Sequence, residues 1–434
     1  MVERQTIKSA VLDGASDFLP RQMMRRNAVF KTIRGVFERF GYAPIETATL
    51  QPMSALNGAD GEGAERARYF VTRDAGAAPT YALPSDLTVP FARFVARHYD
   101  SLTIPFKRYQ IQRVWRDRDE RRRNLREFYH CDIDAIGSDD LICEAEIVKI
   151  IVIVFDELKI PDISVKFNSR ALLKSLLGAC GVQAADLTRA MLIVNQNGAG
   201  GLDATAAELS GMGVERAADI ASALQTGATN AEALNRLARF EGASDLRRFL
   251  DYCERLGVPE RALRFAPTLT RDLSYYTGAV FEAAAAVNAD DAICAGGRYD
   301  NLHERFSTKR LSGVGAAFEF EKIMDLYERF NPQRQSVATT KALIANQDAD
   351  DKRAFLKLYR ELQEANIAVE AYLQTADLEA QVKYARAKRI PFVLMRGRNA
   401  GETIVKRVKN NKDKTIPTQQ VGVYLSNYYE ARPS

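Results

Sequence analysis

Residues 106–137 read FKRYQIQRVWRDRDERRRNLREFYHCDIDAIG, and two runs inside this stretch decide the fold. FKRYQIQRVWRD (106–117) and REFYHCDIDAIG (126–137) both alternate side-chain character with a period of two. That is the pattern of half-buried antiparallel strands. Between them lies RDERRRNL (118–125), short and very basic. From Arg116 to Arg126 the chain holds six Arg against two Asp and one Glu. Such a run is either a solvated hairpin tip or a cradle for phosphates, because guanidinium groups bind them bidentately.

A second stretch, GVGAAFEFEKI (313–323), changes character in its middle. Small and apolar residues run to Phe318, as in a strand buried against close neighbours. Glu319 then arrives, with Glu321 and Lys322 behind it. A buried carboxylate needs a partner.

Outward from these strands the elements are mixed. VFKTIRGVFERFG (29–41) puts Val29, Phe30, Ile33, Val36, Phe37 and Phe40 on one helical face and stops at Gly41. YAPIETATLQP (42–52) reads as a strand and the polar segment 57–65 as a loop. YALPSDLTVPFARFVARHY (81–99) predicts an extended entry into a helix that starts after Pro90. Residues 181–250 turn to Ala-, Leu- and Asn-rich helical pieces around NQNGAGG (195–201). Strand signals return in TRDLSYYTGAVFEAAA (270–285) and AICAGGRYDNL (292–302), whose paired glycines let backbone approach a neighbour closely. ERFNPQRQSVATT (328–340) reads as a linker. Strand and helix then alternate regularly, ending in a basic hairpin around NNKDK, which predicts a small α/β domain with its own core.

At 434 residues the chain is too long for one ordinary domain. Its 46% hydrophobic and 27% charged residues are those of a soluble globular protein. The longest apolar run, IVKIIVIVFDELKI (147–160), is broken by Lys149, Asp156 and Glu157, so no membrane span is expected; it suits a core or a subunit interface. The N-terminus lacks the order of a signal peptide, which predicts a cytoplasmic protein. Five scattered cysteines predict reduced thiols, and three separated histidines predict no metal site. His98 and His303 are expected on helix surfaces. The net charge of +5 is compatible with a nucleic-acid partner.

Several of these stretches together resemble the histidyl-tRNA synthetase family of class II aminoacyl-tRNA synthetases. They are GASDFLP (14–20), YAPIETATL as motif 1, DLTVPFAR (86–93) and the motif 2 pair WRDRDERRRNLREFYHCDID (115–134). RDLSYYTGAVFE (271–282) is similar to the family's histidine signature, AGGRYDNL (295–302) is typical of it, and GVGAAFEFEKI resembles motif 3. Residues 341–428 resemble its anticodon-binding domain. The resemblance implies an α+β fold: an antiparallel sheet flanked by helices, with a helical insertion and a C-terminal α/β anticodon-binding domain. The expected boundaries are 1–180 and 251–330 for the two parts of the catalytic core, 181–250 for the insertion and 341–434 for the last domain. It implies a homodimer, a tRNA or other RNA partner for the C-terminal domain, and ATP with Mg2+ where the site is active.

The family reaction joins ATP and histidine into an adenylate and transfers histidine to tRNA. Carried over by motif, Arg116 and Arg271 would serve the α-phosphate and Phe128 would stack on adenine. Asp86, Thr88 and the position of His130 would hold the amino group, while Asp134 and Tyr276 would meet the imidazole of histidine or a similar amino acid. Tyr275 is expected to be a core aromatic. Arg118, Glu319 and Lys322 occupy nucleotide-facing positions. Here the chain departs from the family: Glu319 replaces a glycine, Lys322 an arginine and Arg118 a glutamate. Ala48 replaces a proline, Pro84-Ser85 an Arg-Tyr pair, His130 a glutamine, Asp272 a glycine and Ser274 an aspartate. Glu319 would block the nucleotide, or would pair with Lys322 or a motif 2 arginine.

These departures predict a paralogue with an altered ATP site, lacking normal ligation and acting by binding or regulation. Two alternatives stand beside it. One is a working histidine–tRNA ligase or related amino-acid-activating ligase; the other is a regulatory subunit of ATP phosphoribosyltransferase, whose members usually lack the C-terminal domain. A pure RNA-binding module is a further reading, resting on the basic hairpin and the arginine-rich connection.

Overall fold

The computed structural model describes residues 9–56, 71–72, 81–116, 125–197, 201–227, 229–271, 275–332, 340–347 and 352–430. Arg118 with most of the arginine-rich connection, Asp272 and Ser274 lie outside the described residues. The chain divides into two units, residues 1–333 and 334–434.

The first unit is built on a sheet of eight strands: β1 (Ala43–Pro44), β2 (Phe106–Trp115), β3 (Glu127–Ile136), β4 (Ile163–Ser169), β5 (Leu263–Phe265), β6 (Ala279–Ala285), β7 (Cys294–Tyr299) and β8 (Gly313–Glu319). Their spatial order is β1-β2-β3-β8-β7-β6-β4-β5. Every neighbouring pair is antiparallel except β1 with β2 and β4 with β5 at the two edges.

The period of two now acquires a physical meaning. On β3, Cys131, Ile133 and Ala135 face the core, as do Val314, Ala316 and Phe318 on β8. They meet Val29, Ile33, Val36 and Phe37 of helix α1 (Pro20–Arg39) and Ile147, Ile150, Ile151, Val154 and Phe155 of a helix, α3 (Ile142–Glu157). Burying each such side chain contributes about 1.5–3 kcal/mol before the entropy of ordering it is subtracted. The apolar run 147–155 therefore belongs to the core. Helix α1 begins with Pro20, whose missing N–H costs nothing there, and stops at Gly41, held at φ +79°.

Between α1 and α3, helix α2 (Thr88–His98) starts three residues earlier than expected, two before Pro90. Pro90 lies in the first turn, where the N–H it lacks would have had no intrahelical partner. Helices between Leu187 and Arg255 pack Val194, Leu209, Ile220, Leu234, Leu246 and Phe249 into the same core as the sheet. Helix α4 (Phe320–Phe330) follows β8 directly, so the first residues of the expected linker, 328–330, are helical. His303, expected at the surface, is buried, whereas His98 is exposed.

The second unit has a five-stranded sheet and its own core. Strand β9 (Ala342–Ile344) lies parallel between β10 (Val369–Ala371) and β11 (Phe392–Arg396); β12 (Glu402–Arg407) and β13 (Lys412–Pro417) then add antiparallel. Helix α5 (Arg353–Glu364) buries Leu358 and Leu362 against Phe392 and Leu394, with Phe355 and Tyr359 packed beside them. A closing helix, α6 (Val421–Glu430), lies beyond the expected hairpin and adds Val421 and Leu425 to this core. No helix among the described residues is long and apolar enough to cross a membrane.

Candidate functional site

The face of the sheet opposite the core carries the polar residues. Asp134 stands in register with Arg108 of β2 and Gly315 of β8, and His130 with Gln112 and Glu319. Alternation along β3 puts Phe128, His130, Asp132 and Asp134 on this one face. A cavity of about 190 Å³ opens over it, and its walls include Asp86, Thr88, Arg116, His130, Asp134, Arg271, Tyr276, Glu319 and Lys322. Residues expected from five separate stretches of sequence thus converge on one site.

Asp134 forms the floor. Its Oδ2 lies 2.6 Å from Nη2 of fully buried Arg108, and the Tyr299 hydroxyl donates to its Oδ1 at 2.5 Å. Burial pushes the carboxyl up, Arg108 pulls it back, neighbouring Asp132 pushes it up again, and the result is about 7. Gly315 has no side chain because a methyl there would overlap this carboxylate. The paired glycines of β7 serve the same closeness: a methyl on Gly297 would press on the Tyr276 ring.

Asp86 lies just ahead of α2, and its Oδ1 accepts from the amides of Thr88 (3.1 Å) and Val89 (3.2 Å). Burial raises its pKa against those bonds and Arg116. Tyr276 is buried, and the Tyr275 ring sits 4.8 Å from it, lining the cavity as well as packing on apolar neighbours.

The cations of the site all face carboxylates. Arg271, at φ +60°, extends Nη1 to Glu282 Oε1 at 2.5 Å. Burial opposes its charge, yet Tyr276 and Glu282 outweigh burial and raise its pKa. The guanidinium of Arg170 donates to the carbonyls of Thr270 (2.9 Å) and Arg271 (3.1 Å), which holds this left-handed turn. Lys322 donates to Asp291 Oδ1 (2.6 Å) and the Ala292 carbonyl (2.8 Å), and lies 3.0 Å from Glu319. Arg116 donates from Nε to the Ser85 carbonyl at 2.9 Å, and its Nη1 is 3.8 Å from Glu319. Glu319 therefore sits between Lys322 and Arg116. Burial alone would raise its pKa, but Lys322 and then Arg116 lower it, so it is held ionised.

Phe128 does not line this cavity. Its ring packs with Leu87 and Val114 and is capped by the Arg116 guanidinium at 5.0 Å. Arg108, Asp132, Tyr299, Glu282 and Asp291 belong to the site and were not singled out from the sequence, although Asp132, Glu282 and Tyr299 lie inside the quoted motifs. Asp132 had a further signal, its spacing of two from both His130 and Asp134; the others meet the site through pairing and contacts that spacing does not reveal.

The chain matches the family model for histidyl-tRNA synthetase over residues 14–323 and that for the anticodon-binding domain over residues 341–428. It is 34% identical to the histidine–tRNA ligase of Porphyromonas gingivalis, covering 94% of this chain and 97% of that one. With the histidine–tRNA ligase of Stenotrophomonas maltophilia it shares 33% identity over 90% of this chain and 91% of the relative. Among solved structures, a histidyl-tRNA synthetase from Nostoc aligns with TM-score 0.82 at 23% identity, covering 98% of this chain and all of that one. A protein from Bacillus halodurans described as an ATP phosphoribosyltransferase regulatory subunit or histidyl-tRNA synthetase aligns with TM-score 0.73 at 18% identity, covering 88% and 97%, a likeness of fold. The class II synthetase fold with an anticodon-binding domain is thus present, and the chain belongs to the histidyl-tRNA synthetase family.

Proposed function

We propose that this chain is a family member that takes histidine or a similar amino acid into the cavity but does not carry out ordinary histidine adenylation. In this reading Asp86, Thr88 and Tyr276 hold the amino acid over Asp134, and Arg116 and Arg271 are the inherited phosphate-facing cations. The observation that carries it is Glu319, an ionised carboxylate held between Arg116 and Lys322. A like charge about 4 Å from a phosphate costs roughly 4 kcal/mol at an effective dielectric of 20, a thousandfold in affinity. The cavity of about 190 Å³ also falls below the ~300–1,000 Å³ of ordinary ligand pockets. Phe128, with Arg116 over its ring, lines a different cavity beside Arg113 and Tyr129 rather than this one.

A second reading is a working ligase, favoured by Arg116, Arg271, Asp86, Thr88, Asp134 and Tyr276 all being present and by full-length relatives described as histidine–tRNA ligases. In that case ATP displaces Glu319 from Arg116 and brings Mg2+ with it, since Mg2+ keeps waters and substrate phosphates as ligands. Under either reading we infer a cytoplasmic homodimer whose C-terminal unit contacts tRNA. The two readings separate in histidine-dependent ATP–pyrophosphate exchange. Wild type is expected to show none, and Glu319→Gly with Lys322→Arg to restore some. Robust exchange by the wild type would make the chain a divergent ligase.

A further inference from the structure

His130, in the place of a family glutamine, is 3% exposed and lies between Gln112 and Glu319 on the neighbouring strands. Its Nε2 is 3.2 Å from Nη2 of Arg116. A guanidinium can only donate, so Nε2 is the acceptor and the ring proton is on Nδ1. Nδ1 faces Asp132 Oδ1 at 3.4 Å, and both atoms are buried with no hydrogen-bond partner among the described residues. Asp132 itself is 1% exposed. A buried ring N–H and a buried carboxylate oxygen without other partners stabilise each other electrostatically.

We propose that His130 and Asp132 are positioning residues for Arg116. The imidazole Nε2 holds Nη2, and Asp132 fixes the tautomer that keeps Nε2 an acceptor. This rests on the cavity being phosphate-facing, as above. His130 then does not bind the amino group of a ligand, because its acceptor nitrogen is already engaged. The charged groups around the ring are Arg116, Asp132 on its own strand, Glu319 on β8 and Asp86 ahead of α2, with the Phe128 ring 5.4 Å away. So held, the Arg116 guanidinium stays on the cavity wall, where an anion of the pyrophosphate class would meet it.

The chain has only three histidines, so nitrogen NMR of the full-length protein labelled with 15N-histidine resolves each ring, and His130→Gln assigns the signal. The expected result is an Nδ1–H tautomer at pH 8. In Asp132→Ala the Nδ1–H form should give way to a mixture with Nε2–H. An Nε2–H tautomer in the wild type, or an Nδ1–H tautomer that Asp132→Ala leaves in place, overturns the proposal. The milder Asp132→Asn serves if the alanine variant does not fold. Calorimetric binding of inorganic pyrophosphate should weaken in His130→Ala and return in His130→Gln, whose amide oxygen can accept from Nη2. Unchanged binding in His130→Ala also overturns it. Robust adenylation by wild type would remove the altered-site reading while leaving the tautomer test standing.

Discussion

Asp134 gives the folded state a pH dependence near neutrality. Its carboxyl is pushed up to about 7 from an ordinary value of 3.8, burial being the largest cause. Because the folded state binds this proton more tightly than the unfolded chain, the contribution is greatest below pH 4 and is lost as pH rises toward 7. Its upper bound is about 4 kcal/mol, with the opposing pull of Arg108 already included. Asp134→Asn keeps the shape and removes the titration. Denaturation at pH 4.5 and pH 7.5 should show the wild type losing stability across this window relative to the variant. Identical pH slopes for the two proteins would mean that Arg108 fully compensates the buried charge.

The strands β3 and β8 show how far sequence pattern reaches. Their alternation alone assigns each side chain to core or cavity, and it explains why Glu319 can follow Phe318: one faces the core, the other the site. The strand expected over 42–52 fails for a different reason. Only Ala43–Pro44 and Gln51–Pro52 pair, because side-chain amides of β2 reach over instead; Gln112 bonds the Thr47 carbonyl at 3.0 Å and Gln110 its hydroxyl at 2.9 Å. Helix α6, VGVYLSNYYE, is rich in β-branched and aromatic residues, so packing on Phe392 overrides its local preference. What spacing could not show was the partner of each charge, since Arg108, Glu282 and Asp291 reach their partners across strands and turns. At the level of elements, Gly315 is the sharpest test. A methyl there meets Asp134 and the Ile133 carbonyl, so Gly315→Ala should cost about 1–3 kcal/mol. Exposed Gly35 in α1 has nothing within 4 Å, and Gly35→Ala should instead stabilise by up to about 1 kcal/mol. Calorimetric melting temperatures moving in the same direction for both would refute this account of the β3–β8 contact.

At the scale of the whole molecule, each of the two units has a core of its own. The sheet of the first unit assembles the cavity proposed to take the amino acid, while the second unit presents the basic hairpin of β12 and β13. Within that hairpin Lys406 is tied to Asp413 at 2.6 Å and Arg407 to the Tyr428 hydroxyl at 2.9 Å, so these two serve the fold. Lys409 and Lys412 are exposed near its turn and are the better candidates to face an RNA backbone. A phosphate contact releases counterions, so each one lost should lower the slope of log affinity against log salt by roughly 0.7–0.9. Lys409→Glu with Lys412→Glu should therefore weaken binding of a histidine tRNA transcript, flatten its salt dependence, and leave amino-acid binding by the first unit unchanged. An unaltered slope would place the RNA contact away from this hairpin. A parallel loss of amino-acid binding would mean that the two units do not act separately, because the hairpin is built on a core that shares no residue with the one beneath the cavity.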